Sequence, residues 1–376
     1  MTLSRWVAGL RQRGHRVSLV RPRRPGAGAE SGPDLLTVAG MALPGYPGVR
    51  LGVPAGRRLR ERWRADRPDV VYVATEGPLG FSALGAARAL GVPALTGFHT
   101  NFHAYAAHYR LRLLAGVVLA SLRRFHNRSA GTLVPTPELA ADLRGRGFRN
   151  VAVVERGVDS GLFNRARRSA VLRRQWKVPD TGVVALYVGR VAPEKNPLLA
   201  IQAWQAMRRE VPAARLVVVG DGPLRPALMR RYPDVVWAGV RRGEDLAVHY
   251  ASSDMFLFPS TTETFGNVTL EAMASGLAVV AFDRAAAAMH IVDGVSGVLV
   301  PPGQSAQFVR AAAALARQPQ GMAAMGRAAR HHAEEVDWTR VIARLEWHLR
   351  AATGGDGARG ALTGCKPGRG IERAGA

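Results

Sequence analysis

The chain has 376 residues, with 52 Lys and Arg against 28 Asp and Glu, a formal charge of +24. Hydrophobic residues at 47% and charged residues at 21% exclude a disordered, collagen-like or coiled-coil chain, and the length suits two domains better than one core. The lone cysteine, Cys365, excludes an internal disulfide and a Cys-based zinc site and fits a reducing cytoplasm.

Residues 3–14 predict an amphipathic helix with Leu3, Trp6, Val7 and Leu10 on one side, followed by a strand at 17–20. Arg5, Arg11 and Arg13 interrupt any signal-peptide core. In a parallel α/β sheet a strand and a turn precede such a helix, so the series reads as starting in mid-unit. Strands at 70–73, 94–96 and 131–134 then alternate with helices at 82–90 and 107–129. The apolar run 113–122 is about half of the roughly 20 residues that span a bilayer, and arginines flank it on both sides. Residues 151–163 lack a clear period and read as a connection.

A second series follows, with strands at 183–188, 214–219, 235–238, 255–258, 279–281 and 297–300. Helices are predicted at 197–210, 223–232, 244–252 and from about 265 to 275. Ala-rich helices at 304–317 and 321–335 and a last helix at 338–351 complete the pattern, and 352–376 reads as a disordered tail. Strand–helix alternation predicts an α/β fold of right-handed βαβ units, the second half a doubly wound sheet.

Glycines close several strands of the second half, at Gly189, Gly220, Gly222 and Gly266, the sheet edge where open α/β folds bind ligands. Gly220-Asp221-Gly222-Pro223 lacks the third glycine of a dinucleotide fingerprint, and no Gly-Lys-Ser/Thr phosphate loop occurs. Arg190 and Lys195, five residues apart on a loop entering a helix, form a pair able to clamp a diphosphate or simply two solvated loop charges. Glu263 and Glu271 flank a strand-to-helix junction. There the amides of Phe265, Gly266 and Asn267 can receive an anion at the positive end of the helix, and Glu271 can accept bonds from vicinal ribose hydroxyls. The alternative is a capping Glu263 and a surface Glu271. No Asp-x-Asp occurs, so the residues offer no carboxylate pair of that kind for a metal.

The motifs Gly97-Phe98-His99-Thr100-Asn101-Phe102, Arg156-Gly157-Val158-Asp159, Gly189-Arg190 with Glu194-Lys195-Asn196, Gly220-Asp221-Gly222-Pro223, and Phe258-Pro259-Ser260 leading into Glu263 to Glu271 occur in one order. In these the chain resembles glycosyltransferase family 4, of the GT-B fold, most nearly its bacterial GDP-mannose-dependent α-mannosyltransferases. The resemblance implies two Rossmann-like domains facing across a cleft: an acceptor-side domain over 1–157 and a nucleotide-sugar domain over 158–337, with helix 338–351 packing back on the first and 352–376 as the tail. It implies a retaining, metal-independent transfer with no tightly bound cofactor, from GDP-mannose or a UDP-sugar to a lipid or glycan acceptor.

By the same resemblance, His99, Glu263, Arg190 and Lys195 are the catalytic candidates. Gly189, Gly220, Val240, Arg241, Phe265, Gly266, Asn267, Val268 and Glu271 join Arg190, Lys195 and Glu263 in binding the donor. His103 and His108 carry no such role. Relatives begin with a further strand and Gly-rich loop, so roughly twenty residues are expected ahead of the first helix, and Ala285 to Ala288 with Met289-His290 stand where many relatives have Gly-Gly and Pro-Glu.

Only Lys177, Lys195 and Lys366 are lysines, and the scattered arginines with no RNP motif, zinc finger or compact basic helix argue against nucleic acid. Coding bias, or attraction to anionic lipid and phosphorylated ligands, accounts for the charge. Arg110, Arg112, Arg123, Arg124 and Arg128 around the apolar 113–122 run match either a helix on an anionic membrane surface or a buried helix with solvated ends. The expected location is cytoplasmic, on the inner face of the membrane in the first case. Competing functions are a UDP-sugar-dependent glucosyl- or sulfoquinovosyl-type transferase, a truncated non-catalytic GT-B binding protein, and a phosphorylase or epimerase, the last disfavoured because no lysine is free to anchor pyridoxal phosphate.

Overall fold

The computed structural model describes residues 2–23, 31–42, 50–99, 115–179 and 182–354. The chain divides into two units, Met1–Glu155 with Thr339–Ala376, and Arg156–Trp338. The Thr100 to Phe102 part of the His99 motif, His103, His108, residues 107–114 of the predicted long helix, and the tail from 355 onward lie outside the described residues.

The first unit runs α1 (Thr2–Gln12), β1 (Leu19–Pro22), β2 (Ser31–Gly32), β3 (Leu35–Val38), β4 (Gly40–Ala42), β5 (Arg50–Gly52), α2 (Gly56–Ala65), β6 (Val71–Val73), α3 (Pro78–Ala89), β7 (Ala94–Gly97), α4 (Ala115–His126), β8 (Gly131–Val134), α5 (Pro137–Gly145) and β9 (Val151–Val153). Strands β6-β7-β8-β9 form a parallel sheet, β1 and β3 pair in parallel with β2 antiparallel to β3, and β4 and β5 form a separate antiparallel pair. The supposed connection at 151–163 therefore opens with a strand. Val151 and Ala152 are buried against β8, but three residues are too few to show a period. Helix α2 escaped the sequence pattern because its buried face is only Leu59 and Trp63, one turn apart among arginines.

The second unit continues with α6 (Ala170–Gln175), β10 (Val184–Val188), α7 (Pro197–Glu210), β11 (Arg215–Val219), α8 (Arg225–Arg231), β12 (Val236–Gly239), α9 (Gly243–Ala251), β13 (Met255–Phe258), α10 (Asn267–Ala274), β14 (Ala278–Phe282), α11 (Ala285–His290), β15 (Gly297–Val300), α12 (Ser305–Ala316) and α13 (Pro319–Glu335). Its six strands lie in the order β12-β11-β10-β13-β14-β15, all parallel. Alternate residues feed two cores. Leu186, Val217, Phe256 and Val279 face one side with Ala274 of α10 and Ala329 of α13, whereas Ala185, Leu216, Leu257 and Val280 face the other with Trp204 of α7 and Phe308 of α12. A sheet buried on both faces must be apolar at every position, which is why these strands read as unbroken hydrophobic runs. The chain winds outward from β10 through β12, then returns to β13 beside β10, so the order reverses between β10 and β13.

Helix α14 (Trp338–Ala352) ends the described chain, and from Thr339 onward it belongs to the first unit. Its Glu346 accepts bonds from Arg13 Nε, from Arg350 Nε at 3.0 Å and lies 2.9 Å from His15 Nε2. Among the described residues no helix is long and apolar enough to cross a membrane.

Candidate active site

Open parallel sheets bind ligands beyond the carboxyl ends of the strands where the strand order reverses, and the charged motifs of the second unit gather at that point. After β10, Pro193–Lys195 form a single 3₁₀ turn, and Asn196 takes a left-handed conformation (φ +49°) before α7 starts at Pro197. The Glu194 carbonyl accepts bonds from the Thr261 amide (3.0 Å), the Thr261 hydroxyl (3.0 Å) and the Ser260 hydroxyl (3.4 Å), stitching the β10 loop to the loop after β13. Tyr187 Oη donates to the Arg190 carbonyl at 2.9 Å from below, its ionisation pushed up by burial.

The stitching brings two charges from distant motifs together. Lys195 Nζ donates to Glu263 Oε1 and, at 3.0 Å, to the Thr262 carbonyl, and both side chains of the ion pair are largely buried. Arg190 is the more open cation, its Nη1 lying 3.5 Å from the buried carboxylate of Glu194. Glu263 therefore does not cap a helix. That place belongs to Gly266, whose φ of +88° is a left-handed conformation open to glycine, and α10 begins at Asn267 with neither a side-chain cap nor an acidic residue in its first turn. The Thr269 amide bonds back to the Gly266 carbonyl at 3.0 Å, and the positive end of the helix dipole, uncapped by any side chain, can receive an anion.

Phe265 points its ring into the core, 1% exposed, with the Arg156 guanidinium 5.6 Å above it, so only its backbone is available at the site. Arg156 also donates to Asn267 Oδ1 at 3.2 Å, which ties the Arg156 to Asp159 motif to the start of α10. Val268 packs against the core. Glu271 is buried, not a surface acid, and accepts a bond at 3.0 Å from the Tyr250 hydroxyl of α9. Burial, opposed in part by the Tyr250 bond, pushes its carboxyl up to about 7. The Gly189 amide donates to the Val219 carbonyl, and the Gly220 amide to the Gly239 carbonyl at 2.8 Å, which keeps the ends of β10, β11 and β12 level. Beyond β12, Val240 is exposed, and Arg241 donates through Nε to the Ala238 carbonyl and pairs with Asp245 at 3.1 Å.

In the first unit, His99 follows β7 and its Nε2 is hydrogen-bonded to Tyr72 Oη of β6 at 2.7 Å, with the Trp6 ring 5.7 Å away edge-on. Gly97 makes this possible, since a Cβ there would lie 1.9 Å from the Tyr72 oxygen. Sequence reasoning missed Glu194, Tyr187, Tyr250 and Tyr72. Each reads as an ordinary loop acid or core aromatic, because the partner that gives it a role is brought in by the fold.

The sucrose-phosphate synthase of Thermosynechococcus elongatus, 20% identical, superposes over 93% of this chain and 92% of that one with a TM-score of 0.70. The architecture is thus that of the GT-B glycosyltransferases, two Rossmann-like domains in one chain. Residues 2–162 match the model of Glycosyltransferase Family 4, and residues 182–318 that of Glycosyl transferases group 1. A GDP-mannose-dependent alpha-mannosyltransferase of Mycobacterium tuberculosis (strain CDC 1551 / Oshkosh) is 34% identical over 92% of this chain and 90% of its own. The sulfoquinovosyl transferase SQD2 of Arabidopsis thaliana is 29% identical over 90% of this chain and 68% of its own. The chain belongs to glycosyltransferase family 4, and it is an enzyme that transfers a hexosyl group.

Proposed function

We propose that the enzyme transfers mannose from GDP-mannose to a lipid or glycan acceptor, with retention at the anomeric carbon and without a metal. The observation that carries this reading is the Lys195–Glu263 and Arg190–Glu194 ion pairs on the loops after β10 and β13, with α10 starting without a side-chain cap at the same strand-order reversal. The mannosyl donor is supported by the Mycobacterium tuberculosis relative.

The leaving diphosphate is the group that gains charge as the bond from the sugar C1 to the phosphate oxygen breaks, and the bonding pair leaves with that oxygen. Arg190, Lys195 and the amides of Gly266 and Asn267 hold the diphosphate and stabilise that charge by fixed position. When phosphate arrives, Lys195 turns from Glu263 to the anion, and the released Glu263 carboxylate is free to accept the sugar hydroxyls. Glu271 accepts the ribose hydroxyls, Val240 and Arg241 border the base, and the backbone of Gly189 and Gly220, with Val268, lines the donor. His99 contacts the transferred sugar. The acceptor oxygen attacks C1 on the face the phosphate leaves, through an oxocarbenium-like transition state, and the departing phosphate oxygen takes the acceptor proton. The cytoplasm and the inner membrane surface are the assigned locations, with an anionic lipid surface as the partner of the Arg123, Arg124 and Arg128 stretch.

A second donor, the UDP-sugar of a glucosyl- or sulfoquinovosyl-type enzyme, is favoured by the Arabidopsis relative. Thermal unfolding of the chain with GDP, GDP-mannose, UDP and UDP-glucose separates the two. Stabilisation by the guanine pair alone supports the mannosyl reading, stabilisation by the uracil pair replaces it, and silence from all four overturns both donor readings.

A further inference from the structure

Glu271 and Tyr250 are the most deeply buried polar pair at the site, and they come from different helices. Tyr250, fully buried on α9, is held on one side by Phe163, edge-on at 5.5 Å, and on another by Phe256 at 5.8 Å. Its hydroxyl has one strong acceptor, Glu271 Oε2 at 3.0 Å, and a weak one, the Val268 carbonyl at 3.4 Å. Only Oε2 of Glu271 is engaged by a described residue, so Oε1 carries the remaining capacity to accept hydrogen bonds. A glutamate carries three rotatable side-chain bonds, and fixing them at the moment of binding costs affinity. A tyrosine locked by two aromatic neighbours removes that cost in advance.

We propose that Tyr250 is a positioning residue for the donor's nucleoside: its hydroxyl pins one oxygen of the Glu271 carboxylate so that the other is preset to accept from the vicinal diol of the ribose, a role that rests on the ribose assignment of Glu271 made above. The hydroxyl also acts on charge. A carboxylate this buried favours its neutral form, which accepts hydrogen bonds poorly, and the Tyr250 donor opposes that by bonding to the ionised form.

The other titratable groups on elements around Glu271 are already committed. Arg330 of α13 donates to the Phe163 and Ala274 carbonyls and pairs with Glu334 at 2.7 Å, and His290 of α11 lies 3.3 Å from His332 of α13, burial pushing both imidazoles down. Strands β13 and β14 contribute no titratable side chain.

The test is calorimetric binding to the full chain and to Tyr250→Phe and Glu271→Gln, using GDP (or UDP, whichever binds the unaltered enzyme) and its 2′,3′-dideoxy analogue. Removing one hydrogen bond to a charged group predicts about 10-fold weaker binding of the ribonucleotide by Tyr250→Phe, with the dideoxy nucleotide bound as well as by the unaltered enzyme. Equal weakening of both nucleotides, or of neither, overturns the proposal, because a merely structural tyrosine has no reason to distinguish the diol. If Glu271→Gln binds the ribonucleotide normally, the ribose assignment itself fails; if it is weak while Tyr250→Phe is normal, the assignment stands and only the positioning role falls.

The second readout is the pH dependence of binding the intact sugar nucleotide, whose doubly esterified diphosphate does not titrate near neutrality. Loss of the hydroxyl raises the Glu271 carboxyl, so affinity falls off at a higher pH in Tyr250→Phe than in the unaltered enzyme. Should that variant not fold, uniform labelling with 3-fluorotyrosine keeps the ring and makes the hydroxyl a stronger donor, moving the same midpoint to lower pH. An unmoved midpoint overturns the proposal.

Discussion

The two units spend their charged side chains differently. In the second, two ion clusters are drawn inside, Lys195 with Glu263 at the carboxyl ends of the strands and, at their amino ends, Asp254, which binds Arg168 at 2.8 Å, Arg173 at 3.0 Å and the Val184 amide at 2.9 Å, while pairs such as Arg208 with Asp234 and Arg317 with Glu210 stay at the surface. In the first, several of the described pairs lie at the surface, such as Arg57 with Glu61, Arg16 with Asp66 and Arg146 with Asp142, where solvent leaves each worth little. Its inner exceptions are His126 with Glu76 and the cluster on Glu346. Buried charge is costly unless geometry is fixed, and the proposed donor reading gives the second unit a reason for that cost. The same six-stranded sheet thus carries one ion cluster at the amino ends of its strands and one at the carboxyl ends, the latter where the donor is proposed to bind.

The sharpest break in this comparison is Asp254→Ala. It strands the buried Arg173 and predicts a loss of about 3–5 kcal/mol in unfolding free energy by denaturant titration, whereas Glu61→Ala in the first unit stays within about 0.5 kcal/mol. Lys195→Ala couples holding to function. Transfer falls about 100- to 1,000-fold in a radiolabelled-sugar assay, and the thermal midpoint also falls because the buried Glu263 carboxylate loses its partner.

Glu271 marks the point where function opposes stability. Its folded carboxyl lies near 7, above the ordinary Glu value of 4.5. The native state therefore binds the extra proton between these values, and stability drops as pH rises through that window. Glu271→Gln removes the cost, so the unliganded variant is more stable by roughly 3 kcal/mol at pH 8 and little changed at pH 4, while nucleotide binding is lost. A smaller pH-dependent effect belongs to the first unit. Burial opposes it, but bonds from His15, Arg13 and Arg350 hold Glu346 down to about 2, so its contribution is complete above 4.5 and vanishes as pH falls towards 2. Glu346→Gln accordingly lowers the thermal midpoint by a few degrees at neutral pH and not at pH 2.

How much was legible in the sequence divides along the same line. Strands β10 to β15 are apolar on both faces and announce themselves, and the Arg190 to Lys195 and Glu263 to Glu271 motifs place the charges of the proposed donor site. What stayed hidden was whatever depends on a partner far along the chain. Tyr250 and Glu271 stand 21 positions apart and Lys195 and Glu263 stand 68 apart, and the intervening sequence carries no sign of either contact. In the first unit, β2, β4 and β5 are two or three residues long, too short for a period, and α2 hides two core residues among five arginines. Under the proposed function, acceptor recognition would fall to such irregular pieces and donor recognition to repeated strand ends.

The central claim is that the cations at the strand-order reversal bind a sugar nucleotide, and calorimetric titration of GDP-mannose into the unaltered enzyme and Lys195→Ala tests it most directly. The account predicts a saturable isotherm for the first and at least a tenfold loss of affinity for the second, with folding intact. Equal affinity in both would contradict it.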